Sequence, residues 1–200
     1  MKKGRIFMKN VFTTKNIAGM AIFTALAFVT YCLIPEIPIF PGSASFLKLD
    51  FSNVFIMLAG FMYGPIPALI ITVIKELLHL PFGTTMGVGE LANVIMTASY
   101  VLFPSILYRY KKGIKWVVLS LLIACVLQIA FSLLVNRFIN FPFFIWMYKM
   151  PISAKAFFGT LWVYVLLFNV IKSVAISLVT LIIYKRIKYL FKIIGIGNVK

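Results

Sequence analysis

The feature that most limits what this chain can become is a succession of long apolar runs without charge. Ile17 to Ile34 is uncharged for 18 residues, Phe51 to Ile74 for 24, and Trp116 to Val135 for 20. Ala156 to Tyr184 runs for 29 residues with Asn169 and Lys172 as its amide and its charge. About 20 such residues carry a helix across a bilayer. In hydrocarbon each backbone N–H and C=O must be paired within the chain, which leaves helices or closed barrels. The ten-residue alternation of barrel strands is not visible. The composition agrees: 62% of the residues are hydrophobic, against about 45–50% in soluble domains. The reading is an all-α integral membrane protein.

The net charge of +16 invites a nucleic-acid reading. Its distribution argues against one. Of 20 Lys and Arg residues, five lie in 1–15, four in 109–115 and five in 185–200, so they cap the apolar runs. That is the positive-inside pattern of cytoplasmic segments beside anionic lipid. No basic face is interleaved with stacking aromatics. Cys32 and Cys125 sit in apolar runs without CxxC spacing and read as small buried hydrophobes. The basic lead and Ala25-Leu26-Ala27 resemble a signal peptide, but the apolar run continues to Ile34 and more membrane sequence follows, so the first run is read as a retained helix.

Polar punctuation sets the helix count. Pro35, Pro38, Pro41 and Gly42 end the first helix in an outer loop bearing Glu36 and Asp50. Gly64-Pro65 splits the second run, either as one kinked span or as two helices joined by a tight turn with Pro65 in the first turn of the second. The second option keeps each basic cluster inside and is preferred. Pro81 and Gly83 end the third helix. A fourth runs from near Val88 past Pro104 to Tyr108, and a fifth from Trp116 to Val135. Residues 138–155 form an aromatic, proline-bearing outer segment suited to an interfacial belt, and the last helix follows. The expectation is six transmembrane helices with both termini cytoplasmic. It treats residues 1–200 as a single membrane domain, with a basic lead at 1–15 and a tail at 191–200.

One polar interruption stands out. Lys75-Glu76-Leu77-Leu78-His79 and Gly87-Val88-Gly89-Glu90-Leu91-Ala92-Asn93 hold two of the four acidic residues and the single histidine. Charge at membrane depth costs about 2.5–3.5 kcal/mol per residue on insertion scales, so it faces a cavity or a partner. The bland alternative is a loop with structural ion pairs. Asn169 and Lys172, three apart, share a helix face, as do Glu90 and Asn93. With Asn53 and Asn136 they would ring an outward-facing pocket. Amides offer both donors and acceptors, which suits a neutral polyhydroxylated or heteroaromatic solute. An interhelical hydrogen bond is the alternative for each asparagine alone. Ala21 and Ala25, four apart, allow close approach of another helix, from this chain or a partner.

Catalytic signals are weak. HExxH, GxSxG and P-loop motifs are absent, and one histidine without a second soft ligand nearby argues against a metal site. Without a nucleotide-binding motif, uphill transport would need a partner to supply energy. A lipid-acting enzyme using Glu90 or His79 as an acid–base group is the competing class.

Several stretches carry a resemblance: Phe46-Leu47-Lys48-Leu49-Asp50-Phe51-Ser52-Asn53, Gly64-Pro65, Lys75-Glu76-Leu77-Leu78-His79, Val88-Gly89-Glu90-Leu91-Ala92-Asn93 and Asn169-x-x-Lys172. Over about residues 15 to 190 the chain resembles the substrate-binding S components of energy-coupling factor (ECF) vitamin transporters, most closely the riboflavin-specific ones. The resemblance implies a bacterial cell-membrane subunit that is not an enzyme, has no cofactor, and takes riboflavin as transported ligand. It implies contacts through Asn53, Asn136, Asn169 and Lys172, and backbone from the loop around Lys48 and Leu49. The family phrase commonly ends in Asp where this chain has Asn53. Ala21 and Ala25 look like the helix-one motif that docks on the membrane coupling subunit, whose own partners are two cytoplasmic ATPases. Another vitamin or heteroaromatic solute is the alternative ligand.

Overall fold

The computed structural model describes residues 12–33, 37–40, 42–44 and 46–194. The lead up to residue 11, Ile34, Pro35, Glu36, Pro41, Ser45 and the tail from 195 lie outside the described residues.

Helix α1 (Thr14–Leu33) is followed by a two-rung antiparallel hairpin. Its strands β1 (Ile37–Pro38) and β2 (Lys48–Leu49) pair Ile37 with Leu49 and Pro38 with Lys48. Proline is tolerated because no third strand among the described residues asks for its missing N–H. Helices α2 (Ser52–Tyr63) and α3 (Pro65–His79) meet at Gly64, whose φ of 104° is open to glycine and strained for any side chain. Pro65 then starts α3 where a backbone N–H is not needed. The two-helix reading of this stretch is therefore the one the backbone adopts. A 3-10 turn (Leu80–Phe82) and a loop lead to α4 (Val88–Tyr110), which runs through Pro104.

Helix α5 (Ile114–Val135) does not end at Asn136. It passes through a π-helical turn, Asn136–Asn140, into α6 (Phe141–Tyr148). The outer segment expected over 138–155 is thus helical as far as Tyr148. Pro142 is the second residue of α6, directly after the π turn. Lys149 leaves the helix in the left-handed region at φ 49°, and α7 (Ala154–Ile194) follows.

Among the described residues, five helical stretches are long and apolar enough to cross a membrane: Thr14–Cys32, Pro65–Phe82, Val88–Tyr110, Ile114–Tyr148 and Ala154–Arg186. The chain is a multi-pass membrane protein of helical class. Helix α2 is different. Twelve residues at about 1.5 Å each reach roughly 18 Å, short of the ~30 Å hydrocarbon layer. Eleven of its residues are buried, packed against α1, α3, α4 and α7. Cys32, expected to be buried, is exposed on α1, and Cys125 is half-buried.

Two apolar clusters hold the bundle. The larger joins α1 to α5 and α7 around Met57, Tyr100 and Leu121. The smaller ties the hairpin loop to the ends of α6 and α7: Phe141 is fully buried, with the rings of Phe46 and Phe157 at 5.8 and 5.0 Å. The aromatic segment is therefore half core and half belt, since Phe138, Trp146 and Tyr148 are exposed.

Candidate functional site

Beneath the hairpin lies a cavity of about 510 Å³, bordered by Tyr31, Lys48, Asp50, His79, Glu90, Asn93, Asn136, Asn140, Asn169 and Lys172. Its size falls within the range of small-molecule sites. Six of the eight solute-site residues expected from sequence border it. Leu49 and Asn53 do not. Leu49 is held in the hairpin ladder. Asn53 is buried in the first turn of α2, where its Oδ1 accepts from Thr97 Oγ1 at 3.2 Å.

Two of the amides are oriented by their own helices. Asn136 Nδ2 donates to Ser132 O and Asn169 Nδ2 to Val165 O, each at 2.8 Å and four residues back. Each bond commits an N–H to the helix and turns the oxygen the other way. Asn93 Nδ2 donates to Tyr31 Oη at 3.3 Å. Lys172 lies 5.9 Å from the Phe168 ring centre.

Glu90 is a structural clasp. Its Oε1 is 3.1 Å from His79 Nδ1 and its Oε2 accepts from Thr85 Oγ1 at 3.0 Å. Thr85 Oγ1 in turn accepts from the Gly89 N–H. The carboxylate thereby ties the end of α3, the connecting loop and the first turn of α4. A Cβ on Gly83 would overlap Glu90 Oε1. The His79 ring lies 4.2 Å from the Tyr31 ring.

Behind this wall sits a buried ionic hub. Lys75 is 1% exposed. Its Nζ is 2.7 Å from Glu76 Oε1, 3.6 Å from Asp50 Oδ2 and 3.1 Å from Ser52 Oγ, and stands 4.1 Å from the Tyr31 ring centre. Asp50 also accepts from the Ser52 N–H and Oγ–H, both at 2.7 Å. Burial pushes the Asp50 carboxyl up, but the Lys75 and Lys172 ammonium groups and the Ser52 bonds outweigh it and hold it below the usual range. The hub joins α1, the end of the hairpin, the start of α2 and the last turns of α3.

Sequence reasoning placed His79 in a stretch that walls a solute site, where it lies, but did not place Tyr31, Asp50 or Asn140 at the cavity. Asn140 had a usable signal, its four-residue spacing from Asn136 on what proves to be one continuous helix.

Residues 15–184 match the family described as ECF transporter, substrate-specific component. The chain belongs to that family. This substrate-specific component is similar to the riboflavin transporter RibU of Staphylococcus aureus (strain TCH60), 29% identical over 183 residues, with 92% of this chain and 95% of the relative covered. It is similar also to the riboflavin transporter FmnP of Bacillus subtilis (strain 168), 28% identical over 178 residues, covering 87% and 92%. Among solved structures it matches one described as "Structure and mechanism of the S component of a bacterial ECF transporter", with 29% identity and a TM-score of 0.73 over 88% of this chain and 96% of the other. The family is one of transporter components, not of enzymes.

Proposed function

We propose that this substrate-specific component binds riboflavin from outside a bacterial cell and delivers it inward as part of an ECF importer. The observation that carries the reading is the cavity wall itself, where Asn136, Asn169 and Lys172 meet from two helices under the aromatic-lined hairpin. Amide oxygens turned off their helices offer acceptors, and the ammonium offers donors, to a heteroaromatic imide or to ribityl hydroxyls. Both curated relatives named above carry riboflavin in their names.

In this reading Lys48, Asn93, Asn136, Asn169 and Lys172 contact the flavin, while Glu90, Asn53 and the backbone at Leu49 position the wall. Six helical passes place both termini in the cytoplasm, with α2 as the short one. The membrane coupling subunit docks on α1, where Ala21 and Ala25 are exposed, and two cytoplasmic ATPases supply the energy.

The test is a titration of the purified chain in detergent, following quenching of flavin fluorescence. Saturable binding at sub-micromolar riboflavin, displaced by unlabelled riboflavin and not by other vitamins, supports the reading. Displacement by a different vitamin reassigns the ligand, and no flavin binding overturns it.

A further inference from the structure

The π-helical turn at the end of α5 offers a contact that the flavin-binding reading does not use. The Phe141 N–H bonds to Asn136 O, five residues back, which widens the helix at this one place. Such bulges re-aim side chains and are frequent at functional sites. Here both Asn136 and Asn140 are buried and border the cavity.

A chain of bonds fixes how these amides point. Asn136 Nδ2 is committed to Ser132 O, so its Oδ1 faces Asn140 and accepts from Asn140 Nδ2 at 3.2 Å. Asn140 is then left with its oxygen. That Oδ1 is buried and has no donor among the described residues, although the residue is only 8% exposed. A buried acceptor without a donor is costly, and folded proteins rarely leave one. Resting on the flavin reading, we infer that Asn140 Oδ1 accepts a hydrogen bond from a donor of the bound solute and helps to set its specificity. Reaching the solute asks the Asn140 amide to turn about its broad terminal torsion and to give up its 3.2 Å bond to Asn136 Oδ1.

A flavin has two kinds of donor, the ring imide N–H and the ribityl hydroxyls. The experiment compares riboflavin, 3-methylriboflavin (no imide donor) and lumiflavin (no ribityl hydroxyls) by fluorescence titration of the full chain in detergent. The wild type prefers riboflavin to at least one analogue. Asn140→Ala weakens riboflavin binding about tenfold and shrinks that one preference towards unity, with the other preference unchanged. Asn140→Leu, which keeps the branched shape and the number of side-chain heavy atoms, is read in the same way and stands in where the alanine variant does not fold. Equal loss for all three ligands indicates a purely structural residue and overturns the inference, as does unchanged riboflavin affinity. A wild type that binds no flavin overturns this inference and the proposed function together, whereas normal wild-type binding with every ligand preference unchanged in the variants removes only this one.

Discussion

Replacing Lys75 by methionine tests the buried hub most directly. The substitution keeps the length and apolar stem and removes the ammonium. Lys75 and Glu76 are 1% and 2% exposed and 2.7 Å apart, so solvent does not screen the change. Asp50 retains the two Ser52 bonds and the field of Lys172, but Glu76 has no hydrogen-bond donor besides Lys75 among the described residues. Removing one partner of a buried pair leaves an uncompensated charge and costs about 3–5 kcal/mol. The loss of the Ser52 bond adds about 1 kcal/mol. The expectation for Lys75→Met is therefore a loss of about 4–6 kcal/mol. Lys75→Met with Glu76→Gln should recover roughly half of it, because the orphaned carboxylate is then neutral. The assay is reversible unfolding of the purified protein in mixed micelles, wild type against both variants. A loss under about 1 kcal/mol, or a double variant no more stable than the single one, would refute the claim that this hub is a coupled ion pair.

Asn169→Ala and Lys172→Ala should each weaken flavin binding by about 1–3 kcal/mol, the cost of an unpaired buried polar partner; wild-type affinity in both sinks the contact assignment. Gly83→Ala introduces no backbone strain but displaces the Glu90 carboxylate. It should cost about 1–3 kcal/mol of stability, and little further loss should follow in Glu90→Ala, since both changes break one clasp; additive losses would show otherwise. For pH, the folded Asp50 carboxyl lies below its ordinary value of 3.8. Its contribution is fully present above that value and is lost as pH falls through the folded one. Between pH 5 and 8 the stability gap between wild type and Asp50→Asn should stay constant, and it should narrow in acid below about pH 4. A gap that changes near neutrality would contradict this ordering.

The helical class was legible because uncharged runs longer than a bilayer admit few alternatives. The Gly64-Pro65 turn was legible because both residues have a narrow conformational meaning. Asn169 and Lys172 were legible as a pair because three-residue spacing puts side chains on one face whatever surrounds the helix. The continuation of α5 into α6 was not, because Pro142 reads as a breaker unless the preceding π turn is known. Asp50 was noticed as polar, yet its place on the cavity wall depends on how the hairpin folds back over α3, a long-range contact that no local pattern encodes. Asn53 is similar: its motif was visible, but the partner it meets in the structure, Thr97, is 44 residues away.

Helix α2 is enclosed by its neighbours along nearly its whole length, so acyl chains have almost no contact with it. Lipid thickness can therefore act on the protein only through the longer outer helices, which tilt or shift to match it. The inner post is insulated from that adjustment, and Asn53 in its first turn keeps its depth while the shell around it breathes with the bilayer.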